Sequence, residues 1–453
     1  MWLPKPAEQI LPNHGTRATI GNHETPRRSP DLIRTETAVY RMTWVILIGI
    51  VAAGFLVQGP IPTVTGLWEL QLHPARLIND FTAIAGTGAT MVNAALVAAI
   101  GLSLLKINGI RISGPAIAAV FTMLGFGLFG KTPLNVLPII LGVFVAARIA
   151  GKKFNQYILI ALFGTALGPV VSTIAVELSG ASAFTWPAAV GAGLGLGILL
   201  PPAAMVMLRL HQGYNLYNIG LTSGFLALFA SSFLLAGGAK LDGTLIWNNR
   251  PDLVLRLLIP VISGILVAAA LVDSPRTAFR DLRRILKLSG RLPSDFMDLV
   301  SPHGALLNMG LLGLAGWAYV LVVGAPLNGP VLGGIFTVIG FGAFGKHLRN
   351  CLPVVVGVLA ATLVFRVDPT SPGAILALLF GTTLAPIAGE FGMTLGFVAG
   401  VLHFTIVMRS GAWHAGLALY NNGFAGGLTA TLLAAVTEWY HQADRSTPRK
   451  EQK

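Results

Sequence analysis

Fourteen apolar stretches, each close to the length of a bilayer crossing, follow one another along the chain with little polar sequence between them. About 20 apolar residues are needed to cross the hydrocarbon core. The stretches fall near 43–58, 80–104, 113–130, 134–150, 157–176, 185–208 and 214–237. A second set falls near 253–272, 299–324, 329–345, 351–366, 372–389, 392–409 and 415–437. Such a chain cannot hide its apolar surface inside a water-soluble domain, because surface grows too fast relative to volume. Of the 453 residues 54% are apolar and 11% charged, against about a quarter charged in soluble domains. These values exclude a soluble enzyme, a secreted disulfide scaffold and a disordered protein. The expected fold is an all-α polytopic membrane protein with 14 transmembrane helices.

The net charge of +13 would suggest nucleic acid in a soluble protein. Here the cations read as loop anchors obeying the positive-inside rule. With the N-terminus inside, 24 of the 31 Lys and Arg face the cytoplasm, and only Arg76, Lys131, Lys240, Arg250, Arg256, Arg366 and Arg409 face outward. Both termini are therefore expected in the cytoplasm. Residues 1–42 read as a disordered basic tail. They lack the apolar core of a signal peptide, and Glu8, Glu24, Asp31 and Glu36 argue against an organellar presequence. The first repeat would occupy 43–240, and 241–272 would hold an extracytoplasmic loop and the first span of the second repeat. A basic amphipathic linker on the inner leaflet would run over 273–297, where Phe279, Leu282, Ile285, Leu286 and Leu288 alternate with cations. The rest of the second repeat would fill 298–437, with a C-terminal tail at 438–453. The lone Cys351 excludes an internal disulfide.

Self-similarity organises the chain. Residues 114–143 and 329–358 share thirteen or more identities at an offset of 215, including G-F-G-x-F-G-K. At the same offset Asp80-Phe81 matches Asp295-Phe296, and Asn93 matches Asn308. F-G-T-A-L-G-P (163–169) matches F-G-T-T-L-A-P (380–386), and H-Q-G-Y-N-L-Y-N-I-G (211–220) matches H-A-G-L-A-L-Y-N-N-G (414–423). Seven spans per half is an odd number, so equivalent helices would run in opposite directions. Inverted-topology repeats with broken helices at their interface are typical of secondary transporters.

The duplicated polar and glycine positions are the candidate substrate site. Gly125, Gly127 and Gly130 precede Lys131, and Gly340, Gly342 and Gly345 precede Lys346. Glycines so dense are poor helix, and backbone freed inside a membrane is tolerated only in protein or beside a wet cavity. The lysines would supply positive charge, or else snorkel as topology anchors. Asn135 and Asn350 would supply hydrogen bonds. Tyr217-Asn218 and Tyr420-Asn421, each with an upstream histidine (His211, His414), can bridge helices or bind a polar solute. Asp80 and Asp295 read either as helix caps or, with Glu390, as coupling-ion carriers. His303 and His403 read as core residues. No metal site, cofactor or enzyme motif is expected.

The pattern resembles an uncharacterised bacterial multi-pass membrane family over nearly the whole chain, a likeness that carries no substrate. Leu216-Tyr217-Asn218-x-Gly220 and Leu419-Tyr420-Asn421-x-Gly423 more weakly resemble the helix motifs of bacterial urea transporters, which also contain inverted repeats. The leading expectation is a secondary transporter of a small polar or anionic solute in the bacterial inner membrane, coupled to protons or sodium or uncoupled. The alternatives are a passive channel for a neutral solute such as urea, or a non-transporting scaffold. The expected partners are the lipid bilayer and a small-molecule solute, not nucleic acid, and a homo-oligomer stays open. A reporter fused after residue 243 should read as periplasmic and one after residue 285 as cytoplasmic. The reverse pattern overturns the inverted-repeat assignment.

Overall fold

The computed structural model describes residues 30–178, 185–272 and 274–446, and among them every regular element is a helix. The α-helices form two series of ten. The first holds α1 (Pro30–Gln58), α2 (Pro60–Gln71), α3 (Phe81–Ile84), α4 (Gly86–Ile107), α5 (Gly114–Phe126), α6 (Pro133–Ile149), α7 (Ile158–Gly164), α8 (Gly168–Ser172), α9 (Thr185–His211) and α10 (Asn218–Ala236). The second holds α11 (Leu253–Leu271), α12 (Pro275–Ile285), α13 (Phe296–Leu299), α14 (Pro302–Val323), α15 (Gly329–Phe341), α16 (Leu348–Val364), α17 (Pro372–Gly381), α18 (Ala385–Phe391), α19 (Met393–Trp413) and α20 (Asn421–Ser446). The pairing of each helix with the one ten places later follows the sequence offsets: α2, α5 and α6 start 215 residues before α12, α15 and α16.

Nine helical segments are long and apolar enough to cross a bilayer among the described residues, and the chain is a multi-pass membrane protein. Its outer faces agree, since Leu56, Phe233, Val322 and Leu363 stand bare, an exposure that only lipid makes favourable. The expectation of full spans at 113–130 and 329–345 is corrected. α5 and α15 have 13 residues each, about 20 Å at 1.5 Å per residue, short of the hydrocarbon core of about 30 Å. The cause is local: Gly130 (φ +126°) and Gly345 (φ +97°) adopt backbone open chiefly to glycine and turn the chain. α6 and α16, with 17 residues, are also short. α1 begins at Pro30, inside the segment read as a tail, and α20 continues to Ser446. Residues 1–29 of the expected N-terminal tail and 447–453 of the C-terminal one lie outside the described residues. α2, unforeseen in the sequence, presents Ile61, Val64 and Trp68 outward.

α5 and α15 form the centre, and all but one of their 26 residues are buried. A Cβ on Gly125 would sit 2.7 Å from the Gly333 carbonyl, and one on Gly340 3.1 Å from the Ala118 Cα. Residue numbers across this contact rise on one helix as they fall on the other, so the two run antiparallel. Around them α1 packs on α4, α11 on α14, α6 on α9, α16 on α19, and α10 on α20. Small residues make these contacts close, as expected where lipid removes the hydrophobic drive for helix pairing. Gly142 meets Gly197 between α6 and α9, and Gly357 meets Gly400 between α16 and α19.

α12 carries Arg280, Arg283 and Arg284 on its exposed face and buries Ala278, Asp281 and Ile285. Asp281 accepts a 2.7 Å hydrogen bond from Ser301, the residue that caps α14. The stretch after α12 does more than join the series. His347 donates to the Leu288 carbonyl (2.9 Å), Asn350 to that of Ser289 (3.2 Å), and the Leu292 N–H to the Gly213 carbonyl (3.1 Å).

A Cβ on Gly400 would lie 2.2 Å from the Val354 carbonyl oxygen, whereas Gly191 has open space. Gly400→Val should lower stability by about 1–3 kcal/mol or more. Gly191→Ala should stay within about 0.5 kcal/mol. Thermal unfolding of the detergent-purified variants checks the difference.

Candidate functional site

The sequence G-F-G-x-F-G-K shapes the site by ending a helix and reversing the chain. The N–H of Lys131 donates to the Phe126 carbonyl at 2.9 Å, and that of Lys346 to Phe341 at 3.0 Å. The carbonyls this turn frees find partners on α4 and α14, as buried backbone groups must. The Asn93 amide donates to Gly127 and Lys131 at 2.7 and 2.8 Å, and the Asn308 amide to Gly342 and Lys346 at 2.7 Å each. α6 and α16 then start in capping boxes built by Thr132 with Asn135 and by His347 with Asn350. Asn135 and Asn350 also donate to the Gly130 and Gly345 carbonyls, both at 2.9 Å.

Each turn delivers a lysine into the protein interior, where both side chains are 0% exposed. Lys131 Nζ donates to the Tyr420 hydroxyl at 2.5 Å. Lys346 Nζ donates to the Tyr217 hydroxyl and, at 2.7 Å, to Thr382 Oγ1. Each lysine thus reaches a tyrosine of the other series. Lys131 Nζ lies 4.6 Å from the Tyr420 ring centre and 5.5 Å from that of Phe126, and Lys346 Nζ lies 4.5 and 5.3 Å from Tyr217 and Phe341. Cation–π attraction at such distances stabilises a desolvated ammonium. Among the described residues, neither lysine has a carboxylate within salt-bridge distance.

The tyrosines come from the L-Y-N segments that open α10 and α20. His211 holds Asn218 at 3.0 Å and His414 holds Asn421 at 3.1 Å. Gly220 and Gly423 bring the two helix starts into backbone contact. Between them lies a cavity of about 190 Å³ walled by Tyr217, Tyr420, Phe126, Phe341, Phe163 and Phe380, with Thr122 and Thr337 as an equivalent pair. A second cavity of about 250 Å³ shares Phe380, Leu419 and Asn422 with it. A third, of about 730 Å³, shares Leu245 with the second and includes Arg256 and Asp368. The first two cavities are thus neighbours, and the third lies near the second at Leu245.

A family model matches residues 60–236 and 274–439, from α2 through α10 and from the start of α12 into α20. The chain belongs to DUF1576, a family of proteins of unknown function. No curated protein and no solved structure matches it. The DUF1576 match leaves out α1 and α11, the two helices that flank α4 and α14 from outside.

The structure of this DUF1576 member brings Tyr217, Asn218, Tyr420 and Asn421 to the cavity walls, and Lys131 and Lys346 to the tyrosine hydroxyls behind them. The other candidates shape the site from outside it. Gly125 and Gly340 make the α5–α15 crossing, Gly127 and Gly342 face α4 and α14, and Gly130 and Gly345 press on Leu419 and Leu216. Asn135 and Asn350 are spent on capping. Asp80 caps α3 by accepting from the Thr82 N–H at 3.0 Å, and also accepts from the N–H groups of Asn248 and Gly329. Asp295 caps α13 and accepts from the Gly114 N–H at 3.1 Å. Each aspartate thus holds the start of the other series' central helix. Glu390 is half-buried on α18.

Sequence reasoning missed the aromatic walls and an arginine pair. Phe163 and Phe380 lie in the matched F-G-T motifs, where apolar character hid their role. Arg76 and Arg291 head a duplicated R-L-x-x-D-F at the same offset of 215. Arg76 is buried and ion-paired with Glu177. Arg291 donates to the Gln212 carbonyl at 2.9 Å and lies 4.2 Å over the Tyr214 ring.

Asn308→Leu removes the donor for two buried carbonyls. Each orphaned group costs about 1–3 kcal/mol, so the variant should melt well below the parent. Asn308→Asp, which keeps the shape but not the donor, should not recover the loss.

Proposed function

We propose that this DUF1576 protein is a secondary transporter that moves a small anionic solute across the bacterial inner membrane by alternating access. The two series of helices act as repeats of opposite topology, with both termini in the cytoplasm. The observation that carries the reading is the pair of fully buried lysine amines that meet tyrosine hydroxyls instead of carboxylates. A buried charge without a counter-charge is costly, and a bound anion supplies the counter-charge. Supporting it, contacts between the series come in exchanged pairs. Lys131 with Tyr420 corresponds to Lys346 with Tyr217, and Asp295 with Gly114 to Asp80 with Gly329. Such exchange is what repeats related by a two-fold axis in the membrane plane produce. With Asp80 and Asp295 held as caps, Glu390 is the acid left to carry a coupling proton or sodium ion.

In proteoliposomes loaded against a proton or sodium gradient, uptake of radiolabelled acetate, benzoate and phosphate tests the reading. Lys131→Gln and Lys346→Gln should each lower uptake of the transported anion by about tenfold or more, the value of one hydrogen bond to a charged group. Unchanged anion uptake in both variants, with melting preserved, overturns the anion site. Gradient-independent uptake of urea, equal in both variants, would instead establish the neutral channel.

A further inference from the structure

The helix α12 carries more positive charge than the fold uses. Arg276, Arg280, Arg283 and Lys287 follow one another at spacings of four, three and four residues, which places them along one stripe of a helix and the turn after it. All four are exposed, and so is Arg284 beside them. The one carboxylate of the helix, Asp281, is buried and accepts from Ser301. It lies 3.3 Å from Arg280 Nε and 3.6 Å from Arg284 Nη1. Among the described residues, Arg276, Arg283 and Lys287 have no carboxylate within salt-bridge distance.

The depth of α12 is set by two spans. α11 is long and apolar enough to cross a bilayer and ends at Leu271, three residues before Ser274 caps α12. α14 is another such helix, and its cap Ser301 is the residue bonded to Asp281. A helix tied to the ends of two crossing helices lies where the hydrocarbon stops and the headgroups begin. Its surroundings fit that level. Val272, Phe279 and Leu299 stand bare around the cations. Long cationic side chains there lay their stems on apolar surface and carry their charge to phosphate. A soluble acidic ligand would meet the charges and leave the apolar groups in water.

The segment after α12 leads to the turn that carries Lys346. The Leu288 and Ser289 carbonyls accept from His347 and Asn350, the capping pair of α16. A Cβ on Gly290 would fall 2.0 Å from the Gly345 carbonyl oxygen. Three residues thus separate the end of α12 from bonds to that turn, with little slack between them. We propose that the α12 stripe is a docking surface for the headgroups of anionic phospholipids, and that lipid held there steadies the Lys346 turn. This holds whether or not the protein transports an anion.

The full chain in nonionic detergent, titrated with fluorescently labelled phosphatidylglycerol or phosphatidylcholine, tests the surface. Phosphatidylglycerol should bind at least about tenfold more tightly, and its affinity should fall as salt rises. Combined Arg276→Gln, Arg283→Gln and Lys287→Gln should melt with the parent and lose at least about tenfold in affinity for phosphatidylglycerol, each cation being worth about fivefold. Cys351, the one cysteine of the chain, is buried next to Asn350 and reports opening of the turn. Phosphatidylglycerol should slow its modification by N-ethylmaleimide at least about fivefold in the parent, within the usual range of coupling between two sites, and should leave the triple variant unchanged. Equal binding of the two lipids, or full phosphatidylglycerol affinity in the folded triple variant, overturns the docking surface. Displacement of the lipid by millimolar glycerol 3-phosphate, which lacks acyl chains, overturns it in favour of a soluble phosphate ligand. Cys351 modification unaffected by bound phosphatidylglycerol overturns the link to the Lys346 turn.

Discussion

Where α5 crosses α15, Gly125 lies on Gly333 and Gly340 on Ala118, close enough that a methyl group at either glycine would meet the facing backbone. A gap that small fixes the distance and angle of the two helices within narrow limits, and their positions fix the rest. At the ends of the crossing Asp295 receives the first N–H of α5 and Asp80 that of α15. The helix starts are thereby locked by carboxylates favourably placed against the positive ends of the helix dipoles. Because both helices are buried on all sides, α4, α14, α7 and α17 must pack around them rather than against lipid. A change at the crossing is consequently felt on every side.

The turns that follow α5 and α15 inherit that rigidity. Asn93 and Asn308 fix the turn carbonyls from one side, and Asn135 and Asn350 fix them from the other. Two amides thus hold each glycine-rich reversal, which would otherwise be soft and would expose unpaired backbone to a medium without water. The outcome is a lysine with no freedom to reach an interface. Snorkelling needs a path to water along the side chain, and these turns point the ammonium to the opposite series instead.

How much of this was legible in the sequence depended on residue type. The repeat was plain because glycine, proline, asparagine and lysine recur at one offset among apolar residues that vary. Those same residues mark the helix breaks, and the membrane setting follows from sparse charge alone. The length of α5 and α15 was not legible, because G-F-G-x-F-G is apolar enough to extend a hydropathy run past the point where the helix stops. The start of α1 was hidden by the charged residues of its first two turns. The capping contacts of Asn135 and Asn350 have a local physical cause. An asparagine three residues after a threonine or histidine closes a capping box with its side-chain oxygen, and its amide hydrogens here go to the turn carbonyls and to Ser172 or Ser289. The cavity walls were unreadable, since Phe163 and Phe380 differ from buried neighbours only by facing empty space.

In the proposed transporter, the choice of tyrosine rather than a carboxylate as lysine's partner is what separates a structural ion pair from a binding site. A lysine beside a glutamate is neutralised within the protein, and a solute entering nearby gains little from either charge. A lysine beside a tyrosine has no fixed counter-charge, so its protonated form keeps a field that hydrogen bonds and ring faces offset only in part. The field then favours an anion over a neutral molecule of equal shape. Each lysine and its tyrosine also belong to different series, so whatever binds the tyrosine hydroxyl acts on a bond between the two halves. In the proposed transport cycle occupancy is thus linked to the relative position of the halves through two short contacts. Two such contacts that exchange under the repeat would let either opening of the site hold the same solute by the same chemistry.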